Sequence, residues 1–316
     1  MSRSLHGIVR TLAAGLFAAV ALLGAARAED AKIRIGYPSG MNGQLPVVLD
    51  KAGLAAKHHL AAEFTGFQYG PPMMEGLASG QLDAVVTSFL PPFNLSAKLP
   101  GSIKFVATLG QSSHSILVPK DSTAKTLADL KGRKIGLSLN SESHLDLIVS
   151  LKELGLDDKN DFQLVNLQPN ELPAALEKGL VDAVLIRQPQ TLRLEESLGA
   201  REIQRWPFRF TSIVRTEYLS ANPEAVKNYV EALKDAVLFI ATNSDQAAAW
   251  FAESQRLDPS VVKKLTSENP LYAAKKREDI KIEVDDAFKK LIAERLEAAT
   301  KYGLIKGKLE SSVLTQ

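Results

Sequence analysis

Short apolar runs alternate with amphipathic stretches along most of the chain. Runs such as 33–37 (IRIGY) and 82–88 (LDAVVTS) have the length of buried strands, and the segments between them have the spacing of helices. This alternation is typical of units that build a mostly parallel sheet flanked by helices. The pattern therefore predicts an α/β fold.

The pattern also repeats within the chain. Residues 77–85 (LASGQLDAV) return 99 residues later as 176–184 (LEKGLVDAV), and the flanking strands correspond as well. Two copies in nearly constant register predict two similar lobes with a ligand-binding cleft between them. The repeated Asp83 and Asp182 each stand at the start of a strand, where we expect a structural role in bonding nearby backbone groups.

The repeat ends near position 222, and only helices are predicted beyond it. The predicted helices are 223–241, 244–254, 259–267 and 284–302. Because they have no counterpart in the second copy, we expect them to pack on the first lobe.

Residues 1–28 have the parts of an export signal. Arg3 and Arg10 precede an apolar stretch (12–24), and a small-x-small pattern ends at Ala28. The apolar stretch is shorter than the roughly 20 residues that span a bilayer. We therefore predict cleavage after Ala28 and a soluble protein in the periplasm.

Composition narrows the classes of function. Residues 29–316 carry 35 basic and 36 acidic side chains, a net charge of −1, which argues against nucleic acid or an anionic membrane as the main partner. The chain has no cysteine, which excludes a disulfide framework, a thiol nucleophile and a cysteine-based metal site. It also lacks recognisable catalytic motifs and a phosphate loop. We expect a protein that is not an enzyme, without cofactor or metal.

Ligands of open α/β sheets bind at the carboxyl ends of the strands. Applied to the predicted strands, this rule selects loops from both copies. The candidate ligand-binding residues in these loops are Met41, Asn42, Ser88, Phe89, His114, Asn140, Ser141, His144, Arg187 and Gln188. Met41 and Phe89 would leave room for an apolar portion of the ligand.

Two of these loops favour an anion. Residues 140–144 open a predicted helix, whose free N–H groups and positive dipole end attract negative charge. Arg187 emerges from a buried strand, and its guanidinium fits a carboxylate, sulfonate or phosphate. The structural alternatives are that Asn140 or Ser141 only caps the helix and that Arg187 pairs with a neighbouring carboxylate.

Two other candidates also have structural alternatives. Ser88 could bind the ligand or cap the helix that starts at Pro91. Closure of the lobes could bring His114 and His144 together around a polar ligand. Two histidines without a third ligand make a poor zinc site.

Four stretches resemble one protein family: IRIGYPSGMNGQLPVVLDKAGLAAKHHL, FQYGPPMMEGLASGQLDAVVTSFLPP, ILVPKDSTAKTLADLKGRKIGLSLNSESH and ALEKGLVDAVLIRQP. They resemble the periplasmic substrate-binding proteins of ABC importers for sulfonates, taurine and nitrate, which are related to thiamine-pyrimidine-synthase-like proteins. The resemblance covers about residues 32–240.

The resemblance implies a two-lobed periplasmic binding protein fold of type II, with the C-terminal helices on lobe 1. Lobe 1 would comprise residues 29–114 and 212–316, and lobe 2 residues 115–211, with crossovers near 113–116 and 210–213. It further implies a monomer that closes on its ligand and delivers it to an ABC permease and its ATPase at the inner membrane.

The chain departs from the family after the second repeated strand. Many members have an aromatic-acidic-Pro run there, whereas this chain has Arg187-Gln188-Pro189. An acidic residue would suit the amino group of taurine, so Arg187 instead favours a small organic anion. Sulfonate, nitrate, an aromatic acid and a pyrimidine precursor remain open.

Two other classes of function stay as alternatives. The chain could be a ligand-binding module for a membrane sensor, which the sequence does not distinguish from a transport component. It could also be an enzyme related to those that make the thiamine pyrimidine, although the cysteine-rich signature of those enzymes is absent.

Overall fold

The computed structural model describes residues 30–306 and 309–315, so the predicted export signal lies outside the described residues. The strands are Ala31–Pro38 (β1), Leu60–Phe67 (β2), Ala84–Thr87 (β3), Ile103–Val118 (β4), Lys134–Leu137 (β5), Gln163–Asn166 (β6), Ala183–Arg187 (β7) and Arg201–Arg215 (β8). The α-helices up to β8 are Gln44–Lys51 (α1), Leu54–Lys57 (α2), Gly70–Ala78 (α3), Leu90–Lys98 (α4), Glu142–Glu153 (α5), Leu172–Glu177 (α6) and Gln190–Leu198 (α7).

After β8 the described chain is helical. The α-helices are Thr216–Ala221 (α8), Pro223–Thr242 (α9), Ser244–Gln255 (α10), Pro259–Ser267 (α11), Asp286–Lys301 (α12) and Ser312–Thr315 (α13). Short 3₁₀ segments lie at Met41–Gly43, Ala128–Leu130, Pro270–Ala273 and Arg277–Asp279. Within the described residues, no helix has both the length and the apolar content of a membrane span.

The described strands form one sheet in the order β2-β1-β3-β8-β4-β7-β5-β6. In the first half, β1 pairs in parallel with β2 and β3, and in the second half β5 pairs in parallel with β6 and β7. Each half then meets a long antiparallel strand, β8 beside β3 and β4 beside β7. The predicted α/β fold with two similar copies is confirmed.

The two central strands are longer than the sequence predicted. The sequence pattern predicts strands at 103–110 and 202–208, whereas β4 has 16 residues and β8 has 15. They pair from Ile103↔Arg215 to Val118↔Arg201, with three shifts of register. The chain therefore crosses between the two halves through continuous strands, β4 and β8. Their pairing gives backbone N–H and C=O groups partners that they would not have in a loop.

Two helices differ from the prediction. The predicted helix at 44–57 is split into α1 and α2, since Gly53 between them has φ 61°, in the left-handed region where glycine is favoured. Helix α7 was not predicted. The long helices of the C-terminal segment agree with the sequence pattern to within two residues at each end.

The C-terminal helices pack on the first half of the sheet, as expected. Side chains of α9 and α10, such as Tyr229 and Phe251, share a hydrophobic core with Ile33 and Ile35 of β1. Helix α12 shares a second core with α3 and α4. The second half has apolar clusters of its own, built on β5 and β7.

The repeated aspartates make the same backbone contacts in both copies. Asp83 N–H donates to the Arg34 carbonyl oxygen and its Oδ2 accepts from Arg34 N–H at 3.0 Å; Asp182 does the same with Lys134, at 2.8 Å. Each aspartate thus fixes the start of one strand to its neighbour. The predicted structural role is confirmed.

Asp83 is also an ionic centre. Its carboxylate lies 2.7 Å from Arg34 Nη2 and 3.1 Å from Arg215 Nη2. Burial by itself would raise the pKa of Asp83, but the hydrogen bonds from the two guanidinium groups outweigh it and hold the pKa below its ordinary value. Asp83 is therefore ionised at neutral pH, and its contribution to stability is lost as the pH falls through this lowered pKa.

We expect Asp83→Asn to lower the free energy of unfolding by about 2 kcal/mol, because the amide cannot neutralise the two guanidinium groups. The matched substitution Asp182→Asn should cost under about 1 kcal/mol, since that side chain is 42% exposed and pairs only with Arg133. Urea unfolding of both variants measures the difference, and equal losses would contradict the asymmetry.

Candidate functional site

A small cavity lies where the carboxyl ends of β1, β5 and β7 converge. Its polar lining comprises Arg187 and the side chains of Ser39, Ser138, Ser141, Ser143, Gln188 and Gln190; its apolar lining comprises Pro169, Leu172, Leu185, Ile186 and Pro189. The volume is about 30 Å³. That is enough for water but far below the roughly 300–1,000 Å³ of ligand pockets.

Helix α5 points its first turn into this cavity. Ser141 holds the N-cap position, yet its side chain makes no capping hydrogen bond. Its hydroxyl instead donates to the Ser138 carbonyl oxygen at 2.6 Å and lies 2.9 Å from Ser143 Oγ. In the described part of the chain, the first N–H groups of the helix, those of Glu142 and Ser143, have no partner. They can donate to a bound anion.

The alternative that Asn140 or Ser141 only caps α5 is therefore wrong for both side chains. Asn140 has φ 58°, and its backbone N–H donates to His144 Nδ1 at 3.3 Å. This bond occupies the ring nitrogen of His144. Residues 138–144 are therefore bonded to one another, and the first N–H groups of α5 stay available to the cavity.

Arg187 ends β7 and supplies the positive charge of the cavity. Its guanidinium lies over the Phe208 ring, 5.3 Å from the ring centroid. No carboxylate of the described residues forms an ion pair with it, which contradicts the ion-pair alternative. Burial lowers the pKa of Arg187 to about 10, so the side chain still carries its charge at neutral pH.

The first half of the sheet contributes Ser39 and Gly40, directly after β1. A Cβ on Gly40 would lie 3.8 Å from Arg187 Cζ and 3.1 Å from Asn42 Oδ1, so the bare glycine lets the two halves approach closely. Asn42 is 2% exposed, and its Oδ1 has no hydrogen-bond partner among the residues that the structure describes. A buried acceptor without a partner is rare in proteins.

Of the predicted residues, Ser141, Arg187 and Gln188 line the cavity, and Asn42 lies beside Gly40. Asn140 lies just before α5, and His144 lies in the first turn of α5. The cavity also includes Ser39 and Ser138, which are not among the predicted residues. Ser39 lies in the turn 38–43, which the strand-end rule selects as a whole. The sequence pattern extends the predicted strand to 134–139 and so places Ser138 inside it, whereas β5 ends at Leu137.

The remaining candidates have buried side chains elsewhere. Met41 belongs to the core built on β1. Phe89 packs among the rings of Phe93, Phe105 and Phe288, with centroids 5.8–6.1 Å apart. Ser88 is 4% exposed. The apolar lining of the cavity therefore comes from the second half of the sheet, not from Met41 or Phe89.

His114 is fully buried beneath the Trp206 and Phe208 rings, each 5.6 Å away between centroids. Its Nε2 lies 3.0 Å from Asp146 Oδ2. His144 is occupied by the Asn140 N–H, so the two histidines have separate partners. Among the described residues, no group of three side chains could hold a metal ion.

The cavity is positive in character. No carboxylate lines it, and Glu142, next to the cavity serines, is bonded to Arg295 and to the Leu90 N–H. The Arg187 guanidinium and the free N–H groups of α5 can donate hydrogen bonds to a ligand, whereas the hydroxyls of Ser39, Ser138 and Ser141 already donate to carbonyl oxygens. The arrangement can therefore bind one anionic group, and the apolar side can receive a short hydrocarbon portion.

The architecture is that of periplasmic binding proteins. A solved structure, the alkanesulfonate-binding protein SsuA from Xanthomonas axonopodis pv. citri bound to MOPS, has a TM-score of 0.78 and 22% identity, covering 90% of this chain and 98% of that chain. The model of the NMT1-like family matches residues 26–253, and the chain belongs to this family.

Two relatives are similar over most of their length. An Escherichia coli (strain K12) protein named as an aliphatic sulfonates-binding protein is 27% identical over 277 residues, which are 84% of this chain and 85% of that protein. The taurine-binding periplasmic protein of the same organism is 23% identical over 249 residues, 77% of this chain and 75% of that protein. Both are binding proteins by name.

His144 should make the stability of the protein sensitive to acid. Burial is the main cause that lowers its pKa to about 4, while the charge of Asp158 opposes it. The unfolded chain takes up the proton near pH 6.5, so the free energy of unfolding should fall between about pH 6.5 and 4, by about 3 kcal/mol at most. Replacing His144 with Gln should remove this component, as measured by urea unfolding at several pH values. Parallel pH profiles of the two proteins would contradict the assignment.

Proposed function

We propose that the protein is the solute-binding component of an ABC importer and captures a small organic anion of the sulfonate type. One observation supports this above all: Arg187 is a partly buried guanidinium without a carboxylate partner in the described residues, and it shares a cavity with the free N-terminus of α5. A desolvated cation is costly unless a counter-charge arrives. The ligand would supply that charge.

In this proposal the anionic group accepts hydrogen bonds from the first N–H groups of α5, from Arg187 and from the Ser143 hydroxyl, which turns from Ser141 Oγ to the ligand. The Ser141 hydroxyl keeps its bond to the Ser138 carbonyl oxygen. Asn42 and the backbone at Gly40 form the opposing wall. A ligand that touches both walls stabilises the arrangement in which they are close.

The cavity of about 30 Å³ must widen to admit a sulfonate, so we propose hinge opening and closure of two lobes. Residues 29–114 with 212–316 would form lobe 1, and 115–211 would form lobe 2. The boundaries fall within β4 and β8, which makes these two strands the hinge. The shifts of register in their pairing mark where it can bend.

The partners would be an ABC permease and its ATPase, with the protein exported, cleaved after Ala28 and monomeric in the periplasm. The names of the relatives support a binding role. Delivery of the signal to a membrane sensor is the alternative, and ligand-dependent binding to an ABC permease rather than to a sensor kinase would distinguish the two.

We expect Arg187→Gln to weaken the binding of 1-propanesulfonate about 30-fold, because a charge-assisted hydrogen bond to the anion is lost. The neutral analogue 1-propanesulfonamide should lose less than about threefold. Arg209→Gln, which removes an exposed arginine outside the cavity, serves as the charge-matched control. Calorimetric titration of the mature wild type and of both variants measures the dissociation constants of the two ligands. If Arg187→Gln weakens the binding of both ligands equally, the proposed role of Arg187 is excluded.

Taurine should bind more weakly than 1-propanesulfonate, since it adds an ammonium group and no carboxylate lines the cavity. We expect a difference of at least about tenfold, the cost of desolvating a charge without a partner. A thermal-shift comparison at equal concentrations tests this. A ligand at 100 times its dissociation constant adds about 2.7 kcal/mol of stability; a larger shift with taurine would be the contrary result.

A further inference from the structure

Two arginines in the structure each bind a glutamate and an aspartate that are four residues apart on one helix. Arg277 contacts Glu231 and Asp235, four residues apart on α9. Arg295 contacts Glu142 and Asp146, also four residues apart, on α5. The first cluster joins two elements of the C-terminal segment, α9 and the 3₁₀ segment Arg277–Asp279. The second cluster joins α12 to α5. Helix α12 packs on the first half of the sheet, and the first turn of α5 lines the cavity.

The Arg295 cluster has a further arm into the first half. Arg295 Nε lies 3.0 Å from Glu142 Oε1, and its Nη2 lies 2.6 Å from Asp146 Oδ1. The other oxygen of Glu142 accepts the Leu90 N–H at the start of α4, at 2.9 Å. One carboxylate, set between the two cavity serines, thus connects α5 with both α4 and α12.

This cluster is buried. The side chains of Glu142 and Asp146 are 4% and 9% exposed, and that of Arg295 is 22% exposed. Water therefore screens their attraction poorly. Leu145, between the two carboxylates in sequence, lies in the same apolar core as Ile292 and Leu296 of α12. Packing and charge hold the same two helices together.

We propose that Arg295 is a positioning residue for ligand binding, a clasp that holds the N-terminus of α5 against the first half of the protein. This inference rests on the proposed function. The clasp forms only when α5 is close to α4 and α12, so it stabilises the same arrangement that a ligand touching both walls selects. Loss of the clasp therefore weakens binding without changing any group that touches the ligand.

The first experiment replaces Arg295 with Met and titrates 1-propanesulfonate. We expect the dissociation constant to rise about tenfold, within the usual range of coupling between sites. The control is Arg277→Met, which breaks the equivalent cluster on α9 and should change the dissociation constant less than twofold. Equal binding by wild type and Arg295→Met overturns the clasp.

Glu142→Ala separates the clasp from a simple effect of charge. It removes a negative charge beside the anion, so electrostatics without a clasp would tighten binding. The clasp instead predicts weaker binding, about tenfold, because the contacts with Arg295 and with the Leu90 N–H are lost. Glu142→Ala keeps the ion pair between Arg295 and Asp146, which still holds α12 against α5. The proposal can therefore be tested with this variant even if Arg295→Met does not fold. Unchanged or tighter binding refutes the proposal.

Hydrogen exchange of the Leu90 amide tests the clasp without any ligand. Its exchange should be at least about tenfold faster in Arg295→Met and Glu142→Ala than in wild type, while Arg277→Met leaves it unchanged. If wild type binds no anion, the proposed function fails, yet this exchange still decides whether the clasp exists. Wild-type exchange at Leu90 in both variants refutes it.

Discussion

The antiparallel pairing of β4 with β8 is the constraint on which the rest of the structure depends. These two strands run through both halves of the sheet, and each half adds its three parallel strands to opposite edges of the pair. The carboxyl ends of β1, β5 and β7 therefore meet in one place. A break in this pairing would separate the walls of the cavity, whatever the side chains in it.

The charged groups at this meeting point are neutralised unequally. Arg187 has no carboxylate partner among the described residues, whereas Glu142, next to the cavity, is compensated by Arg295. The result is a cavity with hydrogen-bond donors and an uncompensated positive charge.

Much of this could be predicted because it is local. Short apolar runs predicted most of the strands, and helical spacing predicted the C-terminal helices. The repeat identified the matching turns at Asp83 and Asp182. The strand-end rule selected Ser141, Arg187 and Gln188. It failed for Phe89, which also follows a strand but turns into an aromatic cluster, since sequence position does not fix which way a side chain points.

By itself, the sequence determined the α/β class, the two copies and the arginine at the end of β7, because hydrophobic periodicity and repeated motifs are properties of neighbouring residues. Only the tertiary structure decided that Arg187 lacks a carboxylate partner and that Arg295 pairs with Glu142, 153 residues away. The partner of a charged side chain depends on which distant segments the fold brings within hydrogen-bond distance, and no local pattern encodes that distance.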